Sequence, residues 1–113
     1  MAAPNEITVS QLLRLIGLPD APVLVDISID PDFADDPFLI PGFFRPPHTD
    51  IDGLVAKLDG RPCIVTCQQG IKLSQGFTAM LRNRGLKSEY LGGGNYAWRA
   101  HPQAPRIPAS ALP

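Results

Sequence analysis

Apolar positions along this chain switch between helical spacing and short unbroken runs, and the switches mark the elements. Ile7-Thr8-Val9 predicts a short strand. Leu12, Leu13, Leu15 and Ile16 then fall at helical spacing behind Ser10, which reads as the N-cap. Gly17 ends that helix, and Pro19 and Pro22 enforce the break. Val23-Leu24-Val25-Asp26-Ile27 is an apolar run of strand length without alternation. Such runs belong to strands covered on both faces, and so to a parallel sheet. Residues 28–37 hold Asp30, Asp32, Asp35 and Asp36 between prolines and read as a solvated loop. Phe38-Leu39-Ile40 predicts a brief third strand, and Pro41-Gly42 and Pro46-Pro47 predict turns.

Asp50 is placed to cap a helix through Ile51, Leu54, Val55 and Leu58, which Gly60 closes. Cys63 to Thr66 forms the central strand. Leu73, Phe77, Met80 and Leu81 space as a helix packed on the sheet, with Arg82 and Arg84 in its last turn and Gly85 after it. Ser88 to Leu91 is a last strand, and Gly92-Gly93-Gly94 leads into a short helix from Asn95 to Arg99. Strands alternating with helices predict one α/β domain over residues 1–100 with a mostly parallel sheet of about five strands. Right-handed crossovers bring all strand C-termini to one edge, gathering Asp26, the Gly42 turn, the residues after Cys67 and the Gly92–Gly94 turn. The prolines at 102, 105, 108 and 113 make residues 101–113 an extended tail or linker.

Composition narrows the function more than the fold. The chain has 113 residues, enough to bury roughly two thirds of its unfolded surface. A net charge of -1 leaves no electrostatic footprint for nucleic acid. No apolar run is long enough to cross a membrane, and the first residues lack the basic start and apolar stretch of a signal peptide. A cytoplasmic monomer is the expectation. Two cysteines are too few for a disulfide framework. Cys63 and Cys67, four apart on one strand, lie about 13 Å apart, beyond bridging range. His48 and His101 lack metal-ligand spacing, so no metal and no cofactor is expected.

Cys67 carries the candidate chemistry. The apolar run stops at this thiol, a tight polar loop with Gly70 follows, and a helix begins. Unpaired N–H groups at a helix start favour negative charge, and so favour a thiolate or a bound oxyanion. Cys63, inside the apolar run, reads as inert core.

Several segments resemble the single-domain rhodanese family. These are Val23-Leu24-Val25-Asp26-Ile27, the Leu39-Ile40-Pro41-Gly42 turn, Ile64 to Lys72 around Cys67, and Leu91-Gly92-Gly93-Gly94-Asn95-Tyr96-Ala97-Trp98. The resemblance spans about residues 6–100. It implies a three-layer sandwich with helices on both faces of the sheet. It also implies a sulfurtransferase in which Cys67 takes the outer sulfur of a small donor anion such as thiosulfate, becomes a persulfide, and passes the sulfur to cyanide, a thiol or a protein acceptor. Gln68, Gln69, Gly70, Ile71, Lys72 and Leu73 would form the substrate-binding loop. Lys72 stands where the family commonly carries arginine, and it attracts an anion without binding it bidentately. Ser28 and Leu39 stand where the family often has arginine and histidine, so the ion pair usual there cannot form in the usual way. Two other readings belong beside this one. The domain is alternatively a non-catalytic module relaying sulfur to, or binding, a partner. A cysteine phosphatase or arsenate reductase needs arginine six residues after the cysteine, where this chain has Leu73.

Overall fold

In the computed structural model, which describes residues 5–47 and 49–111, the first strand yields early to the first helix. Strand β1 is Glu6–Ile7 and helix α1 is Val9–Leu15. Thr8, not Ser10, is the N-cap. Its hydroxyl accepts from the Gln11 N–H at 3.1 Å, and the Gln11 side chain accepts from the Thr8 N–H at 2.8 Å. This reciprocal capping box outweighs the β preference of Val9.

Strand β2 is Val23–Asp26. The acidic stretch after it is helical, not a loop: α2 spans Asp30–Asp35. Pro31 pre-sets the first turn, and Asp30 and Asp32 complement its dipole. Next come β3 (Phe38–Leu39) and α3 (Ile51–Leu58), where the Asp50 side chain accepts from the Gly53 N–H at 3.0 Å. Then follow β4 (Cys63–Thr66), α4 (Lys72–Asn83), β5 (Ser88–Leu91), α5 (Gly94–Ala100) and β6 (Ile107–Pro108).

The central sheet has four parallel strands in the order β1-β5-β4-β2, one fewer than the sequence suggests. The missing member is β3, which pairs antiparallel with β6 instead. The turn at Pro41-Gly42, with Gly42 at φ +87°, reverses the chain after Ile40. Among the described residues of this segment only Phe44 then reaches β2, bridging Val25, and Pro46-Pro47 has no N–H to extend the ladder.

The sheet is covered on both faces, giving three layers. Val25, Ile27, Cys63, Val65 and Cys67 face α3 and α4, against Leu54, Leu58, Phe77 and Leu81. Leu24, Ile64 and Leu91 face α1 and α5, against Leu12 and Trp98. On α4 the inner positions are Ser74, Phe77, Thr78 and Leu81. Met80, expected to pack on the sheet, is 50% exposed. The Pro-rich tail lies against the domain: Trp98, fully buried, donates from Nε1 to the Pro105 carbonyl at 2.7 Å. Among the described residues no helix is long and apolar enough to cross a membrane.

Candidate functional site

Parallel pairing aligns Asp26 with Thr66, so the chain leaves β2 and β4 at the same edge. Cys67 is the first residue beyond β4, and β5 delivers Gly92 to Gly94 beside it. The loop after Cys67 is held down by α5. The Asn95 N–H donates to the Cys67 carbonyl at 2.8 Å and the Tyr96 N–H to the Gln68 carbonyl at 3.0 Å. The contact is close enough to require glycine on both sides. A Cβ on Gly70 would stand 2.5 Å from the Gly94 nitrogen and 2.6 Å from the Leu91 carbonyl oxygen. Gly70 and Gly94 also hold φ of +68° and +59°, where L side chains are strained.

Under this loop runs a buried polar chain. The Asp26 carboxylate accepts from the Ser28 N–H at 2.8 Å and from the Asn95 side-chain amide at 3.2 Å. Asn95 in turn accepts from the Thr66 hydroxyl at 2.9 Å. The chain ties the ends of β2 and β4 to the start of α5. The Pro41-Gly42 turn is not part of it: a Cβ on Gly42 would meet Leu24, which belongs to the cluster under α1 and α5. Arg45 supports the neighbouring loop. It donates to the Ser28 carbonyl and to Asp30, each at 3.0 Å, and lies over the Phe33 ring.

The Cys67 sulfur has two polar neighbours. The Gly70 N–H donates to Sγ at 3.3 Å, and the thiol donates to Ser74 Oγ at 3.3 Å. On ionisation the second bond reverses, and the serine hydroxyl donates to sulfur. Cys67 is 5% exposed, at the floor of a cavity of about 340 Å³ lined by Asp32, Gln68, Gln69, Ile71, Lys72 and Leu73. Every expected site residue is therefore in one place: Gly70 beneath the sulfur, the others around the opening. Among the described residues, the N–H groups of Gln68, Gln69, Ile71, Lys72 and Leu73 donate to no protein acceptor. They are free for an anion at the start of α4.

Cys63 lies at the opposite end of β4, 1% exposed, and both cysteines are free. Burial pushes its thiol up to about 12. It is a thiol, not a thiolate, at neutral pH. His101 is half-buried at the end of α5, where its Nδ1 accepts from the Gln103 N–H. His48 falls outside the described residues. Sequence reasoning missed Asn95, Thr66, Ser74 and Arg45. Ser74 carried a signal: it falls one turn after Gly70, on the inner face that Phe77 and Leu81 define. The only sequence signal at Asn95 is a polar residue directly after three glycines.

The sequence matches no protein-family model, and no curated protein matches it. Solved structures do match. A thiosulfate sulfurtransferase from Pseudomonas aeruginosa superimposes with a TM-score of 0.77 at 21% identity, over 95% of this chain and 20% of that one. A rhodanese-like domain protein from Staphylococcus aureus gives 0.70 at 20% identity, over 88% and 95%. A protein of unknown function from Rhodopseudomonas palustris, described as a possible tyrosine phosphatase, gives 0.71 at 23%, over 83% and 78%. The chain thus spans one fifth of the Pseudomonas protein and nearly all of the Staphylococcus one. These likenesses show a rhodanese-like fold.

Proposed function

We propose that this single rhodanese-like domain is a sulfurtransferase that carries sulfane sulfur on Cys67. The Cys67 thiolate attacks the outer sulfur of a donor such as thiosulfate. A sulfur–sulfur bond forms to Cys67, the donor's own sulfur–sulfur bond breaks, and sulfite leaves with the electron pair. A thiophilic acceptor (cyanide, a thiol or a protein thiol) then attacks the outer sulfur of the persulfide and restores the thiolate.

One observation carries this reading: the sulfur sits on a cavity floor with the Gly70 N–H directed at it and loop amides free above it. Those donors stabilise a thiolate before the reaction and the negative outer sulfur after it. Gln68 to Leu73 form the binding loop, with Lys72 attracting the donor's charge. The fold neighbour named as a thiosulfate sulfurtransferase supports the assignment. We place the protein in the cytoplasm, as a cofactor-free monomer with its site within residues 1–100 and a tail over 101–113. Two free cysteines suit a reducing compartment.

The test is mass spectrometry of the whole chain after incubation with thiosulfate or a persulfide donor. We expect a gain of one sulfur atom, lost on adding cyanide and absent in Cys67→Ser. An unchanged gain in Cys67→Ser, or none in the native chain, defeats the proposal. A second reading, a relay or regulatory module, is supported by the chain's match to one fifth of a larger protein. It predicts a Cys67 persulfide that turns over only when a protein partner is present. Phosphatase chemistry is disfavoured because Leu73 supplies no guanidinium for a phosphoryl oxygen.

A further inference from the structure

We propose that the Cys67 cavity selects a small zwitterionic persulfide as its sulfur donor, with Asp32 receiving the donor's ammonium group and Lys72 its carboxylate. The proposal rests on the persulfide reading above and names the substrate class of that site.

Two ionised side chains line the cavity, one acid and one base. The acid is singular among its neighbours. Asp30 pairs with Arg45, Asp36 with Arg99, and Asp35 accepts from the Gln68 side chain at 3.1 Å. Asp32 alone of these four has no side-chain partner among the described residues, and it is the one that lines the cavity. Lys72, on the first turn of α4, lines the same cavity and has no partner among them either. Gln68 also donates to the Asp32 carbonyl, at 3.4 Å, so α2 is fastened to the loop that carries the nucleophile. The backbone of Asp32 is thereby fixed beside the cavity that its residue lines.

This charge pattern is wrong for a dianion. The attraction of Lys72 for thiosulfate is opposed by the repulsion of Asp32 on the same cavity. A zwitterion satisfies both walls, as a lone ammonium suits a carboxylate and a lone carboxylate suits a lysine point charge. An amino-acid persulfide has both groups beside its sulfur. The Cys67 thiolate attacks its outer sulfur, the carbon-bound sulfur departs as a thiolate with the electron pair, and the proton on the outer sulfur stays with the new persulfide. Atoms and charge balance with no further reactant.

The experiment measures kcat/KM for loading Cys67 in the full chain, with four donors: thiosulfate, cysteine persulfide, cysteamine persulfide (ammonium only) and 3-mercaptopropionate persulfide (carboxylate only). In the native chain the zwitterion should be the best. Asp32→Asn should lower cysteine and cysteamine persulfides about tenfold and raise thiosulfate, with the contrast shrinking as salt rises. Lys72→Gln should lower cysteine and 3-mercaptopropionate persulfides and spare cysteamine persulfide. Asp32→Asn keeps the side chain's shape, and an unchanged melting temperature confirms the fold. If Cys67 loads but Asp32→Asn scales all donors alike or changes none, the selectivity proposal falls and the sulfurtransferase reading stands. Failure of every donor to load Cys67 overturns both.

Discussion

Cys63 opens β4 and Cys67 is the first residue beyond it, and their surroundings differ. Cys67 has an amide and a hydroxyl within hydrogen-bond distance of its sulfur, and Cys63 has burial alone. Iodoacetamide at pH 8 should therefore alkylate Cys67 in the folded chain, and Cys63 only in denaturant. Equal labelling of both in the folded chain would contradict this. The sign of the pH effect follows from the shift. A thiol raised from 9.0 to about 12 adds stability that is complete below pH 9 and lost as pH climbs toward 12. Tyr90, raised by its burial and by Glu6, acts in the same direction above pH 10. The urea midpoint should thus fall above pH 9, and fall less steeply in Cys63→Ala. The other residue-scale prediction concerns Asn95. Asn95→Ala removes the buried partner of both Asp26 and Thr66. It should cost about 2–3 kcal/mol in urea unfolding and slow persulfide formation. Neither Asn95 nor Thr66 was legible beforehand, because their importance lies in a register between strands and not in any local pattern. Cys67 was legible, because a strand, a glycine loop and a helix start are consecutive in the chain.

Glycines separate what an element needs from what it tolerates. Gly70 and Gly94 face each other's backbone at positive φ, while Gly76, inside α4, has nothing within 4 Å of where a Cβ would stand. Gly76→Ala should therefore raise stability by about 0.5–1 kcal/mol. Gly70→Ala and Gly94→Ala should lower the melting temperature and abolish sulfur loading, since the loop can no longer seat against α5. Comparable melting temperatures for all three variants would refute the close packing. Of the elements that sequence reasoning placed well, β2 and β4 are unbroken apolar runs, α3 has its Asp50 cap, α4 has a clear apolar face, and β5 lies between Gly85 and Gly92. Those it misjudged are settled by single interactions. Gln11 moves the cap of α1 from Ser10 to Thr8, and Pro31 with two aspartates turns an acidic stretch into α2. Strand β3 has two residues, too few to declare a partner, and its partner lies some seventy residues later in a stretch that reads as linker.

That distant partner ties the C-terminal segment to the body of the fold. The body up to α5 leaves two hydrogen-bonding features incomplete: the Trp98 indole N–H, whose acceptor is the Pro105 carbonyl, and β3, whose pairing partner is β6. Arg106 also lies over the Phe38 ring. Proline suits this segment, since Pro108 sits opposite Phe38 in a two-stranded pair where a missing N–H costs little. None of the hydrogen bonds around Cys67, Asp26 or Asn95 reaches the tail. A chain ending at Pro102 should therefore separate stability from activity. Leaving the buried indole N–H unpaired and β3 uncovered should cost about 2 kcal/mol, a fall in melting temperature of roughly 8–16 °C. At 25 °C, if still folded, it should load sulfur on Cys67 at the rate of the full chain. A melting temperature unchanged by the truncation would show that residues 103–111 only rest on the surface. A slowed sulfur step in a fully folded truncated chain would show that Trp98, through α5, carries the tail's docking to the loop that Asn95 and Tyr96 hold in place.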